Sequence, residues 1–191
     1  MMKTASRFSK LGAAALLAVG AVGTMSSTAH AQEKFTYMTN WYAQAEHGGF
    51  YQAVATGLYK KYGLDVTIKM GGPQVNIVQM MAAGQAECVM GSSDLQMIQM
   101  REGGVPVVNV AAVFQKDPQV LIAHEDVKKF EDLKGKTILI ASSAQRGYWP
   151  WLKAKYGFTD SQTRPYTFNI QPFVADKNSA PQSYLTPEPS A

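Results

Sequence analysis

Alternation is the feature that most limits what this chain can fold into. Short β-branched and aromatic runs are followed by amphipathic runs of about ten residues, and a glycine closes nearly every one. That plan predicts strands joined by right-handed helical crossovers, and therefore a mainly parallel sheet. A first strand is expected over 34–38 and a polar, aromatic loop over 40–46. From Gly49, apolar residues fall at Phe50, Ala53, Val54 and Leu58, one face of a helix that Gly63 ends in a left-handed cap. A second strand over 64–70 leads through Gly71-Gly72-Pro73 into a helix over 75–83, with Ile77, Met80 and Met81 inward. A third strand over 87–90 turns at Gly91-Ser92-Ser93-Asp94 into a further helix, where Ser93 and Gln96 fit a capping box. The nearly continuous apolar run 105–114 predicts a strand covered on both faces.

A second cycle follows. It predicts strands over 119–123, 136–141 and 166–171, with a connector over 126–133. A helix is expected over 148–156, with Trp149, Leu152 and Tyr156 inward and Pro150 in its first turn. Trp149 and Trp151 read as core. Beyond 171, Pro172, Pro181, Pro187 and Pro189 interrupt the pattern. The two cycles meet near residue 124, which predicts two α/β lobes, over 32–124 and 125–191.

Residues 1–31 stand apart from this plan. Lys3, Arg7 and Lys10 precede a short apolar core, and Ala29-His30-Ala31 forms a small-x-small cleavage site. The core is shorter than the ~20 apolar residues a membrane span needs. A cleavable signal peptide and a periplasmic mature protein are expected, with no membrane span once the signal is removed. Cleavage takes three of the 18 basic residues and leaves 15 against 14 acids, a balance that excludes a nucleic-acid surface. Cys88 is the sole cysteine, so no disulfide framework is expected. His47 and His124 lack metal-ligand spacing.

In open parallel sheets, ligands bind beyond the carboxyl ends of the strands. That rule selects the loops 40–47, 71–73, 91–94 and 142–149. These hold aromatic rings, hydroxyls and helix amino ends, with neither a nucleophile–base pair nor a carboxylate dyad.

The order of Asn40-Trp41-Tyr42, His47-Gly48-Gly49-Phe50-Tyr51-Gln52-Ala53, Gly57-Leu58-Tyr59 and Tyr62-Gly63-Leu64-Asp65-Val66 resembles one protein group. It resembles the periplasmic substrate-binding proteins of the thiamine-pyrimidine-precursor and alkanesulfonate ABC importers. The likeness continues through Ala82-Ala83-Gly84-Gln85-Ala86-Glu87, Gly91-Ser92-Ser93-Asp94 and Asp132-Leu133-Lys134-Gly135-Lys136-Thr137-Ile138 to Tyr184-Leu185-Thr186 and Glu188-Pro189. It implies the α/β type II periplasmic-binding-protein fold: two lobes with mainly parallel sheets and a ligand between them. It further implies no enzymatic activity, no cofactor, and a monomer whose partners are a small molecule and an ABC importer permease. Trp41 followed by His47 resembles the pyrimidine-precursor branch, whose ligand is a hydroxymethylpyrimidine or formylaminopyrimidine. A flat heteroaromatic ring suits stacking on Trp41, Tyr42 and Tyr148. His47, Ser92, Ser93, Asp94 and Glu188 are the polar candidates, and Arg146 is a candidate for an anionic group.

Members of that group are usually longer, so the second lobe is expected to be incomplete and the closed state weakened or absent. Two alternatives remain at this point. An alkanesulfonate, taurine or nitrate cargo would use bare helix amino ends and Arg146. A pyrimidine-biosynthesis enzyme of the same fold would need the cysteine-rich motif and pyridoxal-phosphate lysine of its relatives, and Cys88 alone cannot supply that motif.

Overall fold

A computed structural model describes residues 31–185. The signal segment over 1–30 and Glu188 lie outside the described residues. The protein has the expected mixed α/β architecture, with mainly parallel sheets. In the first sheet, β1 (Glu33–Met38) runs parallel to β2 (Leu64–Lys69), in register from Glu33↔Leu64 to Met38↔Lys69. On its other side β1 pairs with β3 (Cys88–Val89), giving the order β2-β1-β3.

The expected single helix after β1 is two pieces, α1 (Gly48–Ala55) and α2 (Leu58–Lys61). Gly57 separates them in a left-handed conformation (φ 70°), which any side chain would resist. The break cuts the apolar stripe short. Ala53 is buried, Phe50 lies 4.5 Å from the Tyr37 ring, and Val54 and Leu58 remain exposed. Asn76 caps α3 (Ile77–Ala82) by accepting from the Gln79 amide at 3.2 Å, and Ile77 packs with Met38 and Ala86 under the sheet. Met97 and Met100 of α4 (Asp94–Glu102) pack with Val107.

The run 105–114 is not a strand. Val107 is buried, whereas Val108, Val110, Val113 and Phe114 are exposed. An apolar run becomes a strand only where a neighbour offers a ladder, and no described strand pairs with this one.

The second sheet is built from β4 (Gln119–Leu121), β5 (Thr137–Ile140), β6 (Thr163–Pro165) and β7 (Ser179–Tyr184), in the order β4-β7-β5-β6. Only β4 and β7 are antiparallel within it. Its core joins Ile138, Ile140 and Leu133 to Trp149 and Leu152 of α5 (Trp149–Tyr156) and to Phe158. Gly157 ends α5 at φ 70°, as its position after Tyr156 demands.

Two expectations about the end of the chain are corrected. The strand expected over 166–171 lies at Thr163–Pro165 instead. The Tyr166 amide still reaches the Ile140 carbonyl at 3.0 Å, and then Phe168 (φ 60°) turns the chain towards α6 (Gln171–Ala175). The proline-interrupted stretch contains an interior strand, β7, with Pro181 inside it. Proline is usually confined to edge strands because it cannot donate to a ladder. Here the β5–β7 pairing ends at Leu139↔Pro181, and the next amide on β5's path, Ala141, donates to the Gln182 side chain at 2.6 Å. The Gln182 side chain thus satisfies the first β5 amide past the ladder, while on the other side the Pro181 carbonyl accepts the Ile122 amide at 2.9 Å. Gln182→Leu leaves the buried Ala141 amide without an acceptor and is expected to cost about 1–3 kcal/mol, read as a shift in urea midpoint at constant slope.

The strand-end loops of the two sheets meet. The Ser142 amide donates to the Pro73 carbonyl (2.8 Å), and the Gln74 side chain donates to the Tyr166 carbonyl (2.7 Å).

Candidate functional site

A cavity of about 310 Å³ opens between the start of α4 and the loop after β5. Ser92, Ser93 and Leu95 line one side, and Ser143, Gly147, Tyr148 and Trp151 line the other. Asp117 and Gln119, at the entry to β4, complete it.

Ser93 sits at the N-cap of α4 with an extended backbone, as its place before Asp94 suggests. The expected capping box is absent: the Ser93 hydroxyl makes no cap bond and is buried without a partner. Gln96 is the reason: its backbone amide, the donor that box needs, goes to the Ser93 carbonyl at 3.2 Å. Its Oε1 accepts from the Ser92 amide at 3.1 Å, and its Nε2 donates to the Ser143 carbonyl at 3.3 Å. Gln96 therefore ties the two sides of the cavity together and leaves Ser93 free. A buried hydroxyl without a hydrogen bond costs about 1–3 kcal/mol, a cost that a polar ligand could recover.

Tyr148 donates its phenol to Gln182 Oε1 at 3.2 Å. Burial, followed by the nearby Tyr184 and Asp117, pushes its pKa well up, so the phenol is a neutral donor. Trp151 is half exposed at the rim, not core, and Lys155 Nζ lies 4.8 Å from its ring centroid. Trp149 is core, 1% exposed.

Trp41 and Tyr42 lie in an aromatic cluster beside the cavity and do not line it. Trp41 is 2% exposed, stacks on Tyr166 at 6.1 Å and meets Tyr184 edge-on at 5.6 Å. Its Nε1 is buried without a hydrogen bond. Tyr184 connects the cluster to the cavity, because it pairs with Gln119 across β4 and β7. Tyr42 meets Phe168 edge-on at 5.2 Å.

His47 is buried in a closed loop of hydrogen bonds. Its Nδ1 accepts from the Gln44 amide, so Nε2 carries the proton and donates to Asn40 Oδ1, both at 3.2 Å. Burial lowers its pKa below 6.5, opposed by Glu46 and a backbone contact with Tyr42. The unfolded chain then binds the proton more readily than the folded one. The stability supplied by neutral His47 is present above pH 6.5 and is lost as pH falls through the folded pKa. Urea titrations at pH 7.5 and 5 should show this loss, and His47→Gln should shrink the difference.

Asp94 and Arg146 are exposed and outside the lining. The Arg146 carbonyl accepts from Gln99 Nε2 at 3.1 Å. Glu188 lies outside the described residues. Of the residues singled out from sequence, Ser92, Ser93 and Tyr148 come together at the cavity. Asp117, Gln119 and Trp151 were not among them. The strand-end rule looks past the carboxyl ends of parallel strands, whereas Asp117 and Gln119 stand at the amino end of an antiparallel one. The one local signal was Asp117-Pro118, a turn just before a strand.

Among the described residues, no group of three His, Cys, Asp or Glu side chains is placed to hold a metal. No helix there is long and apolar enough to cross a membrane. The lining offers a carboxylate, amides, hydroxyls and aromatic faces, groups that hold a small molecule by hydrogen bonds and stacking.

Residues 44–177 match the family described as NMT1/THI5 like. The chain is 27% identical over 168 residues to YtlA of Bacillus subtilis, which is named for a binding role, covering 84% of this chain and 48% of that protein. It is 30% identical over 115 residues to the formylaminopyrimidine-binding protein of Halalkalibacterium halodurans, covering 59% of this chain and 34% of the relative. A Haemophilus influenzae protein named for thiamine biosynthesis is 26% identical over 110 residues, covering 56% and 35%. The chain spans about half the length of these curated relatives or less. With a family model covering well over half of its residues and a matching fold, the chain belongs to the NMT1/THI5-like family of binding proteins.

Proposed function

We propose that this protein is a periplasmic solute-binding protein that captures a thiamine pyrimidine precursor and passes it to an ABC importer. The observation that carries the reading is the cavity between α4 and the loop after β5. There Ser92 and Ser93, whose hydroxyl is buried without a partner, line the same cavity as Tyr148 and Trp151. Flat heteroaromatic rings are held by such walls, and a few polar groups then set orientation. The family and the relative named for formylaminopyrimidine binding support the choice of cargo. Ala29-His30-Ala31 supports export. In this reading Ser92, Ser93 and Tyr148 touch the ligand, and the Trp41–Tyr42 cluster backs the wall through Tyr184. The protein acts as a monomer and does no chemistry on its cargo.

Calorimetry on the mature chain tests this directly. A 4-amino-2-methylpyrimidine should bind, and methanesulfonate and nitrate should not. Ser93→Ala should weaken pyrimidine binding about tenfold, the loss of one buried hydrogen bond. Binding of methanesulfonate or nitrate without the pyrimidine would replace this reading with the anionic one.

A further inference from the structure

α4 presents two faces. Met97 and Met100 pack with Val107, whereas Gln96 and Gln99, one turn apart, reach the loop after β5. Gln96 Nε2 donates to the Ser143 carbonyl at 3.3 Å, and Gln99 Nε2 donates to the Arg146 carbonyl at 3.1 Å. Donors and acceptors thus share one sequence spacing. The acceptors belong to a wound segment: the Ala144 amide donates to the Ala141 carbonyl, Gly147 to Ser143 and Ala144, and Trp149 to Ala144. A carbonyl has two lone pairs, so Ser143 accepts both Gly147 and Gln96. Gln96 is 4% exposed, and its amide has one workable orientation. Its Oε1 accepts the Ser92 amide at 3.1 Å, so a flip would set donor against donor there and acceptor against acceptor at Ser143. Two stiff pieces are therefore pinned together at two points. Ser92, Ser93 and Leu95 of one piece and Ser143, Gly147, Tyr148 and Trp151 of the other are the two walls of the cavity.

We propose that Gln96 and Gln99 are the positioning residues of this cavity: a two-point clasp that fixes the spacing of its walls. The clasp follows from the chain's own contacts, and its use in holding a solute rests on the solute-binding reading above. Neither glutamine lines the cavity; each acts through the groups it ties down. One pin would stop the walls from separating but let them pivot. A second pin one turn away stops the pivot, so losing either one loosens the other. Every donor and acceptor belongs to the chain, so the clasp forms before a solute arrives. Walls already in place spare a ligand the cost of ordering them.

Amide hydrogen exchange of the mature chain, followed by NMR, tests this. Gln99→Met keeps a side chain of similar length and removes the bond to Arg146. Gln99 is exposed, so the variant should fold. Exchange at the Ser92 amide, which Gln96 holds, should then speed up about threefold, although Gln99 bonds neither to Ser92 nor to Ser143. The β1 amides should keep their wild-type rates, which a general loss of stability would not allow. Unchanged exchange at Ser92 in Gln99→Met would overturn the clasp, and so would equal acceleration in β1. Saturating 4-amino-2-methylpyrimidine, which spans both walls in the reading above, should slow Ser92 exchange in the variant towards the wild-type rate. A pyrimidine that binds without that rescue would overturn the positioning role. If it does not bind at all, the cargo reading falls, and exchange in the chain alone still decides the clasp.

Discussion

Trp149→Ala is expected to lose about 3–5 kcal/mol of stability, the largest single-site loss in the described chain. Trp149 is 1% exposed and lies between Phe158, at 5.9 Å between ring centroids, and the aliphatic face formed by Ile138, Ile140 and Leu152. Truncation leaves a ring-sized cavity in the core between α5 and the second sheet. It also removes the indole N–H that reaches Asp160 Oδ1 at 2.8 Å. Trp149→Phe refills most of the volume without restoring that bond, so it should cost clearly less. Urea denaturation of the two variants separates packing from hydrogen bonding. Equal losses in both would show that packing is not the main term.

Gly71→Ala should be the next most damaging change described here, about 1–3 kcal/mol and near the top of that range. A Cβ at Gly71 would come 2.2 Å from the Thr39 carbonyl oxygen and 2.8 Å from the Asn40 carbonyl carbon. Both are backbone atoms and cannot swing aside. The loops after β1 and β2 cross at this point, tied by the Gly71 amide donating to Thr39 Oγ1 at 3.2 Å. Thr39 in turn donates to the Trp41 carbonyl at 2.8 Å. Forcing the loops apart should therefore disturb the aromatic cluster as well as lower the melting temperature, and near-UV circular dichroism would report it. Gly72→Ala is the contrast. Its Cβ would meet the Tyr42 ring at 3.1 Å, a side chain that can move, so its effect should be smaller.

What could be read without coordinates was local. The first strand, the alternating face of β2 and the glycine stops at Gly63, Gly84 and Gly157 follow from period-two patterning and from φ values that only glycine adopts cheaply. Ser93 at the start of α4 and Trp149 in the core were equally legible. The break at Gly57 was not, because a glycine inside an apolar stripe reads equally well as a tolerated residue or a stop. Nor was Trp151, whose ring stays at the rim although its spacing in α5 gave no warning.

The sequence by itself determined most of the strand and helix segments, where most of them stop, and which family they spell out, since those depend on neighbours a few residues apart. Tertiary structure alone decided the rest. It put Pro181 inside a sheet, where its carbonyl still accepts the Ile122 amide and the Gln182 side chain takes up the Ala141 amide, and left 105–114 unpaired because no described strand met it. It also turned the Gln96 side chain towards Ser143, sent the Gln96 amide to the Ser93 carbonyl so that the Ser93 hydroxyl has no partner, and brought Asp117 and Gln119 to the cavity across an antiparallel pairing. Each of these depends on which distant backbone group is left wanting a hydrogen bond, and that is known only once the chain has closed on itself.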